Sequence, residues 1–209
     1  MKLGLLTDIH EHVDYLAAAL QMLQQEAVDQ IVVIGDIYET GKQLDEACQL
    51  LTEADAIGVW GNHDFGLCVN PIPEVREKFH LTTLAFMSRL TPWLDIGDCH
   101  FSHVEPWLDA TELVDIWYFK GEPDRPESLE RIFDAVPQRL MFSGHNHRWL
   151  LATRESVCDW KGEGPVDLSN QRYFVVIGAL CDGNFATLDT ASWTLTPRRV
   201  DLESTPRSV

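Results

Sequence analysis

Residues 2–10, KLGLLTDIH, and residues 30–36, QIVVIGD, decide the fold that this sequence predicts. Each is a short apolar run that ends in polar side chains, and residues 56–64, AIGVWGNHD, repeat the pattern. Between these runs, apolar residues recur at helical spacing over Asp14 to Ala27 and over Lys42 to Glu53. This alternation of apolar strands and amphipathic helices predicts parallel βαβ units.

The second part of the chain predicts a second sheet. We expect one or two helices over Glu74 to Leu90, a hairpin over Trp93 to Ser102 and a strand at Leu140 to Ser143. Three further segments alternate like antiparallel strands: Tyr173 to Leu180, Asn184 to Asp189 and Trp193 to Val200. The sequence therefore predicts an α/β fold in which two sheets pack together with helices outside. At 209 residues, a single domain over residues 1–209 is expected.

The charge of the chain argues against a polyanionic partner. The formal net charge is -17, and the dense basic cluster is confined to Arg198-Arg199. Because nucleic acids are normally bound by a basic face, long nucleic acid is a disfavoured partner. No apolar run reaches the length of a membrane span, so we expect no membrane partner. Nothing in the sequence predicts an oligomeric state.

The five cysteines predict free thiols. Their number is odd, they are scattered, and they form no C-x-x-C pair. Neither a disulfide framework nor a zinc knuckle is therefore indicated. A reducing, cytoplasmic location is expected.

Polar clusters with metal-ligating side chains follow the predicted strands in a fixed order. The clusters are Asp8-Ile9-His10, Gly35-Asp36, Gly61-Asn62-His63-Asp64, His103 and Gly144-His145-Asn146-His147. In an open parallel sheet, the carboxyl ends of the strands meet at a common crevice. Seven hard or borderline donors in one crevice can hold two metal ions, and two metals acting on one phosphate make its hydrolysis feasible.

Each cluster alone has a simpler reading as a structural histidine or a capping aspartate. The i, i+2 spacing of Asp8 and His10 puts both side chains on one side of an extended backbone, and the two carboxylate oxygens of Asp36 can bridge two cations. Asn62 offers an amide oxygen. His63 can act as a general acid that Asp64 is available to orient. The clusters jointly, each at a predicted strand end, favour the metal interpretation.

The order of these motifs resembles the calcineurin-like metallophosphoesterases. The match runs from Asp8 to His147, and Ile177 to Asp189 resembles the closing strands of the family. The resemblance implies a four-layer α/β/β/α fold, a two-sheet sandwich flanked by helices. It also implies a metal-dependent phosphoric ester hydrolase that acts on a small phosphoester.

The resemblance further implies a role for each site residue. The first metal would be held by Asp8, His10, Asp36 and His147. The second would be held by Asp36, Asn62, His103 and His145. A hydroxide that bridges the two ions would attack phosphorus in line, and His63 would protonate the leaving oxygen, which makes His63, Asp64 and Asn62 the expected catalytic residues. The mixed imidazole, carboxylate and amide ligands suit Mn²⁺, Fe²⁺ or Zn²⁺, and we expect Mn²⁺ to activate the enzyme.

Two departures from the family pattern bear on the substrate. Protein phosphatases of the family carry an arginine in a GDxxDRG motif and another before GNH, where this chain has Thr40 and Trp60. Because these guanidinium groups are missing, a phosphodiesterase is favoured over a phosphomonoesterase or protein serine-threonine phosphatase. A metal-stabilised scaffold without catalysis is the other alternative.

Several residues keep more than one interpretation. His103 lacks the glycine that usually follows it in the family, and His100 is a weaker stand-in. His12 and His80 are expected to be structural. Arg148 could contact phosphate or be solvated. Four aromatic residues could form a stacking wall or pack in the core: Trp107, Trp117, Tyr118 and Phe119.

Overall fold

Two β-sheets packed face to face form the centre of the fold. The computed structural model describes residues 1–118 and 123–202. Within these residues the strands are β1 (Lys2–Leu6), β2 (Gln30–Ile34), β3 (Ile57–Val59), β4 (Trp93–Ile96), β5 (Cys99–Ser102), β6 (Leu140–Ser143), β7 (Leu150–Ala152), β8 (Val166–Asp167), β9 (Tyr173–Val176), β10 (Asn184–Asp189) and β11 (Thr194–Arg199). The helices are α1 (Val13–Gln25), α2 (Leu44–Glu53), α3 (Phe65–Cys68), α4 (Pro73–Lys78), α5 (Leu81–Met87), α6 (Leu113–Ile116) and α7 (Pro126–Ala135), with a 3₁₀ turn at Leu180–Asp182.

Both sheets are mixed. The strand order is β3-β2-β1-β10-β11-β8 in the first sheet and β4-β5-β6-β9-β7 in the second. Strands β1, β2 and β3 are parallel neighbours, as are β5, β6 and β9. Each parallel group therefore delivers its carboxyl ends to one edge of its own sheet.

Side chains of the central strands alternate between the layers of the molecule. Leu3 and Leu5 of β1 lie between the two sheets, whereas Leu6 packs with helices α1 and α2. In the second sheet, Phe142 faces the first sheet and Met141 packs against α7. This period of two, buried on both sides, explains why the strands read as continuous apolar runs. The result is the predicted sandwich flanked by helices.

The predicted elements before residue 103 are confirmed to within a few residues at their ends. Expected antiparallel pairing is also confirmed for β10 with β11. For the segment from Tyr173 to Leu180 it is confirmed on one side, where β9 pairs antiparallel with the unpredicted β7, and wrong on the other side, where β9 pairs in parallel with β6. Alternation in the sequence reports which faces are buried, and it carries no information on the direction of the neighbouring strand.

Two other expectations concern cysteines and membranes. All five cysteines are free thiols, as predicted. No helix in residues 1–118 and 123–202 combines the length and the apolar character needed to cross a membrane.

Glu26 ties the end of α1 to strands β1 and β11 of the first sheet. Its carboxylate lies 2.6 Å from Lys2 Nζ and 2.5 Å from Arg198 Nε. Hydrogen bonding from Arg198 and Lys2 lowers the pKa of Glu26 despite its partial burial. The ionised form is therefore favoured in the folded protein.

We expect Glu26→Gln to lower the melting temperature by about 2 °C at pH 7, since such pairs contribute about 0.5–1 kcal/mol. Because the folded pKa lies below the unfolded value, this stabilisation is present above about pH 4.5 and is lost as the pH falls through the folded pKa. Thermal melts of both proteins from pH 7 to pH 3 should converge at low pH. Glu77→Gln, at an exposed position of α4, should show no such difference, and a pH-independent gap for Glu26→Gln would contradict the assignment.

Candidate metal centre

Seven donor side chains meet where the parallel strands of the two sheets end. Asp8 and His10 follow β1, Asp36 follows β2, Asn62 follows β3, His103 follows β5, and His145 and His147 follow β6. The cleft between the two sheets therefore collects every residue that the sequence predicted as a metal ligand.

One group of donors surrounds the nitrogen atom Nε2 of His10. This atom lies 3.2 Å from His147 Nε2, 3.7 Å from Asp36 Oδ2 and 4.0 Å from Asp8 Oδ1. The distance between His147 Nε2 and Asp8 Oδ1 is 3.3 Å. Two carboxylates and a second imidazole thus lie within 4.0 Å of the His10 nitrogen.

The other group surrounds the nitrogen atom Nε2 of His103. It lies 3.3 Å from Asp36 Oδ2, 3.0 Å from Asn62 Oδ1 and 3.3 Å from His145 Nδ1. His145 Nδ1 is in turn 2.8 Å from Asn62 Oδ1. Asp36 contributes to both groups, so the two groups are adjacent.

The spacing of the donor atoms fits metal ligation. Nitrogen and oxygen ligands at about 2.1 Å from an ion, and at right angles, lie about 3.0 Å from each other. The His10–His147 and His103–His145 nitrogen pairs, at 3.2 and 3.3 Å, match this spacing. Two imidazole nitrogens at such a distance need a shared proton or a cation between them, because their lone pairs otherwise repel. The residues therefore fit bound divalent cations.

The backbone at the donors adopts a conformation that L-residues avoid. The angle φ is positive at five donor residues, namely Asp8 (51°), His10 (45°), Asp36 (56°), His145 (67°) and His147 (49°). Such conformations cost about 1–3 kcal/mol each and concentrate at functional sites, where the surrounding structure enforces them. The strain turns successive side chains into the cleft at the ends of β1, β2 and β6.

Two glycines permit the close approach of the donor loops. A Cβ atom on Gly61 would lie 2.1 Å from Asp36 Oδ1, and one on Gly144 would lie 1.9 Å from Thr7 Oγ1. Both contacts are far shorter than any packing distance. The glycine before each of these clusters is therefore required by the loop that faces it.

The charge balance of the cleft favours cations. Burial alone would lower the pKa of His103, but the charge and hydrogen bond of Asp36 and the charge of Asp8 raise it to about 9. A hydrogen bond with Asp8 raises the pKa of His147 to about 10. Burial and the neighbouring His103 instead lower the pKa of His145 to about 4. The carboxylates that raise the pKa values of His103 and His147 would attract a metal ion in the same way, and metal binding would compete with protons there.

Comparison with known proteins identifies the family. A family model for the calcineurin-like phosphoesterase superfamily domain matches residues 1–192. The chain therefore belongs to the calcineurin-like phosphoesterase superfamily. The matched residues include all seven donor side chains described above.

Individual relatives are distant. A metallophosphoesterase from Sphaerobacter thermophilus superimposes with a TM-score of 0.77 at 23% identity, covering 96% of this chain and 88% of that one. An archaeal phosphodiesterase superimposes with a TM-score of 0.58 at 15% identity, covering 96% and 100%. An uncharacterized protein of Methanocaldococcus jannaschii is 23% identical over 159 residues, or 69% of this chain. The matched region spans 62% of that curated relative's length. The two solved structures agree with the fold described above.

Asp64 does not lie where its expected role requires. Its Oδ1 accepts hydrogen bonds from the backbone N–H groups of Ile37 and Tyr38, and its Oδ2 accepts one from Gly61. The side chain is fully buried. Burial and the charge of Asp36 raise its pKa to about 6. Asp64 therefore clamps the loops after β2 and β3 together instead of orienting His63.

Glu39 is a carboxylate beside the His63 imidazole that sequence reasoning missed. Its Oε2 lies 3.5 Å from His63 Nδ1 and 2.9 Å from His10 Nδ1. A signal was available, because Glu39 stands at the position of the second aspartate in the GDxxDRG pattern. It links a predicted metal ligand to the predicted general acid.

Glu11 holds the segment that carries Glu39. Its carboxylate accepts hydrogen bonds from the backbone N–H groups of Glu39, Gly41, Lys42 and Gln43, at 2.5 to 3.0 Å. Although burial opposes it, these N–H groups lower the pKa of Glu11. No pattern in the sequence marks this residue, because its partners lie about thirty positions away.

His100 lies outside the cleft. Its Nδ1 lies 2.7 Å from Asp95 Oδ1 of the neighbouring strand β4. The imidazole that follows β5 into the cleft is that of His103.

We expect Gly61→Ala to reduce metal binding by at least tenfold, because its Cβ would displace the shared carboxylate of Asp36. The measurement is bound metal per protein after dialysis against a series of buffered metal concentrations. Gly66→Ala is the matched control, since a Cβ there meets no atom within 4 Å. Wild-type metal content in Gly61→Ala would show that the loop approach is not needed.

Proposed function

We propose that this protein hydrolyses small organic phosphodiesters with two divalent metal ions. The observation that carries the proposal is the pair of donor groups that share Asp36 beside the partly exposed imidazole of His63. We assign Asp8, His10, Asp36 and His147 to one ion. We assign Asp36, Asn62, His103 and His145 to the other.

The chemistry divides between the ions and the protein. Two bound cations would acidify a water molecule and neutralise charge on the phosphoryl oxygens. The buried carboxylates of Asp8 and Asp36 fix where such ions are held. Oδ2 of Asp8 accepts hydrogen bonds from Thr7 Oγ1 and from the N–H of His145, which holds the carboxylate in one orientation.

We propose that His63 donates a proton to the leaving oxygen. Its backbone N–H donates to Asp36 Oδ1 at 3.0 Å, so the residue is tied to the shared carboxylate. Its ring lies edge-on to His10 with centroids 4.8 Å apart, and Glu39 Oε2 lies beside its Nδ1. A carboxylate at Nδ1 can orient the imidazole, as a general acid requires.

A diester suits the cleft better than a monoester. His63, Asn62 and His145 line a cavity of about 530 Å³, and its described lining contains no lysine or arginine. A phosphomonoester carries a second negative charge that would lack a guanidinium partner here. Arg148, although next to His147, lies 3.2 Å from Asp124 Oδ2. Thr40 and Trp60 occupy the positions at which protein phosphatases carry arginine.

The shape of the surface also favours two substituents on phosphorus. A second cavity of about 440 Å³ adjoins the first and shares His10, His12 and Glu39 with it. One arm could hold the leaving group and the other the retained group. A monoester would use only one arm.

We propose Mn²⁺ as the activating ion, with Fe²⁺ and Zn²⁺ as alternatives that the same ligands accept. The free cysteines support a cytoplasmic location.

The first experiment is hydrolysis of bis-p-nitrophenyl phosphate and p-nitrophenyl phosphate by metal-stripped protein after addition of Mn²⁺, Zn²⁺, Mg²⁺ or no ion. We expect metal-dependent turnover with the diester preferred. We expect His63→Ala to lower kcat by about 10²–10⁴-fold without loss of bound metal, because general acid catalysis contributes that much.

His80→Ala provides the control, since this imidazole is exposed at the start of α5. Unchanged diester hydrolysis by metal-loaded His63→Ala would disprove the role of His63. A preference for the monoester would instead support a phosphatase. No turnover with any ion, with metal still bound, would support a non-catalytic scaffold.

We expect Glu39→Gln to raise the Mn²⁺ concentration needed for half-maximal activity by about 10–100-fold, because the His10 ligand loses its charged partner. Activity is measured across a metal titration. Glu53→Gln at the end of α2 serves as the matched exposed control. An unchanged metal titration would show that Glu39 does not support His10.

A further inference from the structure

Trp117 forms one wall of the cleft beside His63. The two rings have centroids 5.3 Å apart with an angle of 40° between their planes. Trp117 is 44% exposed and lines the cavity that also contains the two imidazoles of the His145-x-His147 pair. A large, partly exposed aromatic surface therefore lies at the cavity beside the proposed proton donor.

The segment that presents Trp117 is anchored to the core. Trp60, directly before Gly61, donates its Nε1–H to the carbonyl oxygen of Ala110 at 2.9 Å. Ile116 is fully buried, and Asp115 Oδ2 accepts the N–H of Asp109 at 3.1 Å. The buried side chain of Ile116 thus fixes the segment, and the indole of the next residue, Trp117, lies at the cavity.

The neighbouring aromatic residues do not share this position. Trp107 and Tyr118 pack edge-on with centroids 5.4 Å apart, and both pack against the hydrophobic core. Trp107 also carries Arg131 over its ring at 5.1 Å. Phe119, the fourth residue that could contribute to a stacking wall, lies outside the described residues. Of the aromatic residues that the structure describes in this segment, Trp117 is the one that lines the cleft.

The position of Trp117 bears on the leaving group. In the proposed reaction a water molecule loses a proton to solvent and its oxygen forms a bond to phosphorus. The bond from phosphorus to the leaving oxygen breaks, and His63 gives that leaving oxygen a proton. The leaving group must therefore occupy the arm of the cleft that contains His63, and Trp117 flanks this arm. Planar rings stack on an indole face, and such stacking tolerates different rings because each presents a π-face.

We infer that the substrate is a phosphodiester whose leaving group carries a planar aromatic ring, an aryl group or a nucleobase, that stacks on Trp117. This inference rests on the proposed function, because the role of His63 as proton donor identifies which arm of the cleft holds the leaving group. A neutral ring also suits an arm whose described lining contains no lysine or arginine. Trp60 then has a role of its own, since it holds the stacking segment where related phosphatases have a phosphate-binding arginine.

The test uses stable phosphonates and metal-loaded full-length protein. Calorimetry compares phenylphosphonate with cyclohexylphosphonate, which match in charge and size but differ in the ring. We expect phenylphosphonate to bind more tightly, and Trp117→Leu to weaken it by about tenfold while cyclohexylphosphonate and inorganic phosphate stay unchanged. Trp117→Phe should retain most of the affinity. Trp93→Leu, which alters a comparably exposed tryptophan on β4, is the control.

The same titration with adenosine 5′-monophosphate and ribose 5-phosphate distinguishes the source of the ring. A larger gain for the nucleotide than for the phenyl group would identify a nucleobase, and the reverse would identify an aryl group. The kcat/KM for bis-p-nitrophenyl phosphate should also fall about tenfold in Trp117→Leu, mainly through KM.

Two results would overturn the inference. Equal binding of the two phosphonates to wild type would mean that no ring is recognised. An equal loss of inorganic phosphate affinity in Trp117→Leu would mean that Trp117 only positions the metal cleft. Because binding is measured without turnover, ring-dependent binding by a protein that hydrolyses no phosphoester would refute the proposed function and leave the stacking site standing.

Discussion

The burial of two carboxylates at the junction of the sheets is the constraint on which the site depends. Asp8 and Asp36 are 0% and 2% exposed, and isolated carboxylates at such depth are strongly disfavoured. They persist because imidazoles and backbone N–H groups surround them. The positive φ angles of the donor residues and the glycines that let the loops approach both serve this arrangement. Without bound cations, these buried carboxylates would lower the stability of the folded state. Bound cations would offset this loss and stabilise the fold.

The sequence predicted the parts of this arrangement that depend on residues close together in the chain. An apolar run followed by Asp8 or Asp36 identifies both a strand and the residue at its carboxyl end, and the parallel order of the strands brings those ends together. The parallel pairing of β9 with β6 was not predicted, because burial on both faces of a strand carries no information on the direction of its neighbour. The structural roles of Glu11 and Asp64 could not be predicted from the sequence either, since their partners are backbone N–H groups, which every residue except proline carries.

Trp60 stands where protein phosphatases of the family carry an arginine. In the sequence this position indicates only that a guanidinium group is absent, which makes a phosphomonoester a less favoured substrate. In the fold its indole N–H reaches Ala110 and supports the segment that ends at Trp117. Local sequence cannot reveal this contact across fifty residues. At this position the chain therefore lacks a guanidinium group and has an indole that supports the segment of Trp117.

The four N–H groups that converge on Glu11 also affect how the cleft can move. Hydrogen bonds to a charged group are worth about 1.5–3 kcal/mol each, and the segment from Glu39 to Gln43 could swing only by breaking several together. Because Glu11 comes directly after His10, the segment from Glu39 to Gln43 is held against the loop that carries His10. It forms a fixed wall of the cleft. The opposite wall of the cleft is also held in place, because the Trp60 indole bonds to Ala110 and Ile116 is fully buried next to Trp117. Both described walls are therefore preorganised, so that binding of a substrate would cost little ordering of the protein.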